Sequence, residues 1–244
     1  MYVYSEFDLY RPLTKVSAAD LPIITDRYDV LFLLIHDRDD PVIRVCFPSV
    51  YTFRYRSCSV QDLVEEAAQP FHGSPPLFSI HAASEVLASL SLPAAQQLPV
   101  IVSLKDHSPV AHRRLIVTRS LSVGQVSDWL MMHSLPMSAE LDAENFVEIM
   151  GPSPIRPGSP PRLVVLGAID TKNMAQIDLI KQTATSWHRG EQATDSKQVV
   201  FAWMDKEKWA KWLKSVYGVQ DSPGPTVVIA DHGVRTLPHK SSFI

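Results

Sequence analysis

Two continuous apolar runs of strand length, each closed by an acidic turn, constrain this chain more than any other feature. Tyr28-Asp-Val-Leu-Phe-Leu-Leu-Ile35 runs into His36-Asp-Arg-Asp-Asp40. Arg162-Leu-Val-Val-Leu-Gly-Ala-Ile169 runs into Asp170-Thr-Lys-Asn173. Neither run alternates polar with apolar, so both read as strands buried on two faces, which requires helices above and below a sheet. Two such strands in 244 residues fit one large domain or two small α/β domains.

The segments around them alternate in type. Ser17 caps a short helix reaching about Asp26, with Pro22 tolerated in its first turn. Residues 41–58 read as extra strand or irregular structure. Ser59 then caps a helix with Val60, Leu63, Val64 and Ala67 on one face. A strand at Leu77–Ile80, a helix at Ala82–Leu90, a strand at Leu98–Leu104, a turn at Lys105–Pro109, a returning strand at Leu115–Thr118 and a helix at Val123–His133 complete the half. The second half offers a helix over Ala139–Met150 and a five-proline loop over Gly151–Pro161 before its buried strand. A helix at Ala175–His188, a polar loop, a strand at Gln198–Trp203 and a helix at Lys206–Tyr217 stopped by Gly218 follow. Pro225–Ala230 is a strand, Asp231–Gly233 a turn and Val234–Leu237 a returning strand; a closing helix is only begun at Ser241–Ile244. This order, written twice, is the thioredoxin layout. The expected fold is α/β: two tandem thioredoxin-like domains, 8–136 and 137–244, with mixed central sheets flanked by helices. The second is expected to be truncated before its last helix, as in a piece of a longer protein.

Composition removes several function classes. Lys and Arg number 23 against 26 Asp and Glu, so no broad basic surface for nucleic acid is expected; Arg54, Arg56 and the tyrosines 51 and 55 do not supply one. No apolar run approaches the roughly 20 residues that span a bilayer, and the first residues resemble no signal peptide. Neither Asn145 nor Asn173 begins a glycosylation site.

In a thioredoxin layout a redox thiol pair sits just past the first central strand, at a helix N-terminus that stabilises a thiolate. Here those loops are Asp37–Asp40 and Asp170–Asn173, with no Cys and several carboxylates. No catalytic residue is therefore assigned. Cys46 and Cys58, 12 apart, either close one small disulfide loop in an oxidising compartment or are unrelated thiols. Pro99 and Pro225 precede the two fourth strands, where the layout commonly has a cis bond, and both are expected to follow one; the alternative is a trans proline opening each strand. His36 with Asp37, Asp39 and Asp40 is the densest potential ligand group, but it is one turn without a paired second cluster, and no metal or cofactor is expected. His107 and His232 fall in the two hairpin turns and are expected in solvent.

The helix Lys206–Tyr217 carries Trp209, Leu213 and Val216 on one stripe with Trp212 at its edge. Such a stripe is ordinarily core, whereas a rim tryptophan also suits a protein-binding groove. The helices before the first and fourth central strands share one face, which brings Phe146 and Met150 toward Trp209 and Trp212 as candidate client-binding residues.

Arg162-Leu-Val-Val-Leu-Gly, Val200-Phe-Ala-Trp-Met-Asp and Trp209-Ala-Lys-Trp-Leu-Lys-Ser-Val-Tyr-Gly resemble the inner thioredoxin-like domain of fungal transmembrane protein disulfide isomerases. Phe32-Leu-Leu-Ile-His-Asp and Leu98-Pro-Val-Ile-Val-Ser-Leu-Lys-Asp are similar to the preceding inner domain, and Trp129-Leu130 before Leu135-Pro136 matches the passage between the two. The resemblance begins near Asp8. It implies a C-x-x-C domain upstream, a membrane helix downstream and the endoplasmic reticulum lumen. It further implies a redox-inactive scaffolding module whose partners are unfolded or misfolded proteins. The alternative is a self-contained intracellular α/β enzyme using its acidic loops as a small-molecule or metal site.

Overall fold

A computed structural model describes residues 13–37, 42–48, 53–118, 120–151, 162–189, 198–220 and 224–231. The chain divides between Ser134 and Leu135 into two units. Unit 1 is built on β2 (Val30–His36), whose seven residues are all buried. Beside it lie β5 (Leu77–His81) and β1 (Leu13–Lys15), both parallel to it, and on the other side β6 (Val100–Lys105), antiparallel to β2, and then β7 (Arg113–Ile116), antiparallel to β6. The order β1-β5-β2-β6-β7 is that of a thioredoxin sheet. Alternation along β2 sends Phe32 and Leu34 to one core, with Val60, Leu63 and Val64 of α2 (Val60–Ala68) and Val126 and Leu130 of α4 (Val123–Met132). Leu31, Leu33 and Ile35 go to the opposite core, with Leu21 and Ile24 of α1 (Leu21–Arg27) and Val86 and Leu87 of α3 (Ser84–Ser89). Each such side chain contributes about 1.5–3 kcal/mol by leaving water.

The helix starts follow their caps. The Ser59 hydroxyl accepts from the Asp62 N–H at 3.0 Å, and the Asp62 carboxylate accepts from the Ser59 N–H at 2.9 Å. Ser122 and Gln125 form the same reciprocal box at α4. Residues 41–58, unresolved between strand and irregular structure in the sequence, include a separate antiparallel pair, β3 (Val42–Pro48) with β4 (Phe53–Ser59). Its register sets Cys46 opposite Tyr55 and Cys58 opposite Ile43. The side chains of Cys46 and Cys58 lie outside the described residues.

Unit 2 repeats the plan with β8 (Ser138–Glu140), α5 (Phe146–Met150), β9 (Arg162–Ile169), α6 (Met174–Arg189), β10 (Gln198–Asp205), α7 (Ala210–Tyr217) and β11 (Thr226–Asp231). The order is β11-β9-β10-β8, with only β11 antiparallel. Val164, Leu166, Ala168, Val200, Ala202 and Met204 face α5 and α7, while Ile169 and Trp203 meet Ile177 of α6. The near-buried Arg162 donates from one guanidinium nitrogen to the carbonyls of Glu148 and Ile149, answering the C-terminal end of α5.

Several expectations change. The helix read over Ala139–Met150 is a strand, a turn and a five-residue helix. Asp142 accepts from the Glu144 and Asn145 N–H groups at 2.8 and 2.9 Å, and Asn145 donates to the Glu140 carbonyl at 2.7 Å. These local bonds compete with a helical ladder, and β8 pairs with β10 instead. The edge strand β1 had no local signal. Helix α7 starts at Ala210 rather than Lys206 because the Asp205 carboxylate holds the Lys208 N–H in a turn at 2.9 Å. It stops at Gly218, whose φ of 65° is the left-handed cap that glycine adopts freely. Val216 is exposed rather than inward. The cis peptide bonds among the described residues are Ser74–Pro75 and Leu98–Pro99. Pro99 thus follows a cis bond and Pro225 a trans one. The Gly224 carbonyl, on the bond preceding Pro225, is held by the Lys206 ammonium at 2.6 Å, which fixes that peptide plane. Asp39, Asp40, His232, the strand 234–237 and the closing helix at 241–244 lie outside the described residues.

Candidate protein-binding site

Helices α5 and α7 pack on the same face of the unit 2 sheet, and their aromatic residues meet there. The Phe146 and Trp209 rings stack at 6.0 Å with 9° between planes. Trp212 stands edge-on to both, at 5.4 Å from Phe146 and 5.9 Å from Trp209. Tyr217 extends the row, edge-on to Trp212 at 5.3 Å. All four are half-buried, over a floor of Ile149, Met150 and Leu213 that is fully buried. Offset and edge-on pairs of this kind add about 0.5–1.5 kcal/mol each beyond area burial. The result is a fixed, half-open aromatic ledge. Its borders are apolar at the exposed Val147 and Val216 and basic at Lys211 and Lys214.

The structure therefore brings Phe146, Trp209 and Trp212 together as the sequence stripe suggested, and separates Met150 from them by placing it in the core. Trp209 and Trp212 are both half-buried, and Trp209 precedes the first turn of α7 rather than lying inside it. Tyr217 was missed. Its signal was its place four residues after Leu213, the inward residue of the same helix. Burial pushes its phenol above the ordinary tyrosine value.

The loops at the redox position hold other chemistry. In unit 2, the Thr171 hydroxyl donates to Asp205 at 2.8 Å, Asp170 accepts from the Lys172 N–H at 3.0 Å, and Gln176 accepts from the Asp170 N–H at 3.2 Å. The Lys208 N–H, and then Thr171, hold the Asp205 carboxyl below the usual carboxylate range. In unit 1, His36 is buried, with Nδ1 2.8 Å from the Asp37 carbonyl and its ring edge-on to His81 at 4.8 Å. His107 is half-exposed and pairs with Asp29 at 2.8 Å. Among the described residues no three His, Cys, Asp or Glu side chains converge to hold a metal. No helix among them is long and apolar enough to cross a membrane.

No family model and no curated protein matches the sequence. Solved structures do match. The bb fragment of ERp72 superposes with a TM-score of 0.52 at 17% identity, covering 91% of this chain and 86% of that one. The human ERp44 zinc-bound form matches at 13% identity and a TM-score of 0.44 over 90% of this chain and 50% of that one. Full-length ERdj5 matches at 12% and 0.32 over 92% of this chain and 30% of that one. This chain thus spans about half or less of the last two. Of these three the ERp72 match exceeds 0.5 in TM-score, and at its identity it shows a shared fold. Together with the two strand orders, it defines the chain as a pair of thioredoxin-like α/β units with mixed sheets flanked by helices.

Proposed function

We propose that this chain is a non-catalytic module of a protein disulfide isomerase-like protein, which spaces a catalytic domain and holds unfolded or misfolded clients. The observation that carries this reading is the ledge of Phe146, Trp209, Trp212 and Tyr217, whose half-exposed rings are fixed by one another. Rigid aromatic side chains lose little entropy on binding and dominate protein interfaces. The loop Asp170–Asn173, where a thiol pair would stand, offers a carboxylate, a hydroxyl and amides, which supports a role without dithiol exchange. The resemblance of the Arg162, Val200 and Trp209 segments to inner isomerase domains supports the endoplasmic reticulum lumen as compartment. It also supports a membrane helix elsewhere in the parent chain. The test is binding of a fluorescently labelled, reduced and alkylated polypeptide, followed by anisotropy. Trp212→Ala should weaken capture about 10-fold, as loss of an interface anchor does, while the melting temperature stays within a few degrees. Unchanged capture by a folded Trp212→Ala variant removes the ledge as the site. Turnover of insulin disulfides by the wild-type chain above a cysteine-free control removes the non-catalytic role.

A further inference from the structure

Unit 1 holds a cleft of about 320 Å³ between α1, the end of α3 and the turn joining β6 to β7, at the lower end of the size range of small-molecule sites. Most of its lining is apolar: Leu21 and Pro22 of α1, Leu90 after α3, and Pro109 of the turn. Two large apolar side chains adjoin it in sequence and stand in water, Ile23 at 67% exposure and Val110 at 46%. The turn is fixed although unusual. Asp106 and His107 both lie in the left-handed region, at φ of 53° and 57°. The Asp106 N–H donates to the Asp29 carbonyl at 2.7 Å. His107 is held on both ring nitrogens, Nδ1 3.2 Å from the Thr25 carbonyl and Nε2 2.8 Å from Asp29. The cleft wall it forms is therefore pre-organised.

The polar lining is committed to the fold, with one exception. The Thr25 hydroxyl donates to the Leu21 carbonyl at 2.8 Å, and the Ser89 hydroxyl to the Val86 carbonyl at 2.9 Å. The Asp26 carboxylate lines the cleft and has no hydrogen bond or ion pair among the described residues. The neighbouring cation, Arg27, is engaged over the Tyr28 ring at 5.3 Å. An apolar cleft with one unanswered carboxylate fits a small organic cation: an ammonium for Asp26 and a compact hydrocarbon for Leu21, Leu90 and the prolines. We infer that the α1–α3 cleft of unit 1 binds small amphipathic amines, with Asp26 as counter-ion. This site is separate from the aromatic ledge and does not depend on it.

Titration of the full chain with phenethylammonium, followed by two-dimensional NMR, tests the inference. Shifts should concentrate at Leu21, Thr25, Leu90 and His107, with a Kd at or below about 1 mM, as ligand-efficiency limits allow for so small a ligand. Phenethyl alcohol, equal in size but uncharged, should bind about 10-fold more weakly, the scale of one partly exposed charge pair. Asp26 is exposed, so Asp26→Asn should retain the wild-type spectrum and bind the two compounds alike. Absence of shifts at 10-fold higher amine concentration (about 10 mM on the same scale) overturns the inference. So do shifts centred elsewhere, or equal binding of amine and alcohol by the wild type.

Discussion

The same helix pair is treated in opposite ways in the two units. In unit 1, α1 and α3 present Leu21, Ile24, Val86 and Leu87 to the sheet, and these helices bring only aliphatic side chains to a seam in which Phe78 of β5 is the buried ring. In unit 2, α5 and α7 occupy the equivalent places but carry Phe146, Trp209, Trp212 and Tyr217, which are too large to enter the seam together and stand half out of it. The difference is one of side-chain volume on a common backbone plan. Small branched residues bury completely and leave a shaped cleft at the margin, while large rings pack on each other and leave a ledge. Topology thus chooses where a surface can form, and composition chooses what it can hold.

The second contrast is on the opposite face of each sheet. In unit 1, α2 and α4 together cover Phe32, Leu34 and Ile101. In unit 2, α6 covers Ile169 and Trp203, but Val227 and Ile229 of β11 stay 57% and 68% exposed. The largest expected effect tests the closed side of this contrast. Phe32 is fully buried between the rings of Phe71 and Trp129, at 6.4 and 6.0 Å. Phe32→Ala should cost about 3–5 kcal/mol, read as a lower urea midpoint for unit 1 signals with those of unit 2 unchanged. A loss below 1 kcal/mol would show that this core is not closed.

Next in size is Lys105, at the end of β6 and only 6% exposed. Burial pushes its ammonium down to about 8, with Arg113 adding repulsion and Asp106 partly opposing it. The sign follows from proton uptake. The folded state binds fewer protons than the unfolded one between about 8 and the ordinary value of 10.5, so stability should rise with pH across that window. Below about 8 the full penalty applies, on the order of 3 kcal/mol. Lys105→Met should therefore stabilise unit 1 at pH 7 by up to that amount and abolish the rise toward pH 10.5. A variant whose stability parallels wild type at every pH contradicts this reading.

A smaller effect separates the helix starts. Helix α2 opens on the reciprocal Ser59–Asp62 cap, whereas α7 opens at Trp209 with no side-chain cap. Ser59→Ala should cost about 1 kcal/mol, measurable as a shift of a few degrees in Tm; no shift would mean that packing of Leu63 and Val64 alone sets the start of α2.

How far these features were legible depends on whether their cause was local. The strands β2, β9 and β10 announce themselves as apolar runs, and Ser59 and Gly218 mark helix ends through their own chemistry. Strands β1 and β8 have three residues each and exist only through distant partners, Leu13 against Leu77 and Ser138 against Phe201. No local pattern reports such pairing. At the ledge, helical spacing in α7 exposed Trp209 and Trp212 to inference. It did not show that Met150 turns inward, because α5 is a five-residue helix whose rotation is set by Arg162 and the Asp142 turn. The register of the β3–β4 hairpin, which sets Val42 opposite Ser59, is likewise a pairing fact that no local pattern reports.

The smallest expected effect tests the open side of the second contrast. On the closed side, Leu34 pairs with Ile101, and both lie under α2 and α4 with no exposed surface. On the open side, Val165 pairs with Ile229 in the equivalent antiparallel ladder. Replacing an isoleucine by threonine keeps the branched Cβ that suits a strand and changes mainly the hydration of one end. Ile101→Thr places a hydroxyl in a dry core and should cost about 2–3 kcal/mol. Ile229→Thr, made where water already reaches the side chain, should stay within about 0.5 kcal/mol of wild type. The comparison is read by urea unfolding of the two variants side by side, each followed by signals of its own unit. If Ile229→Thr costs as much as Ile101→Thr, the β11 face is covered in solution, and the two sheets are closed alike on that side.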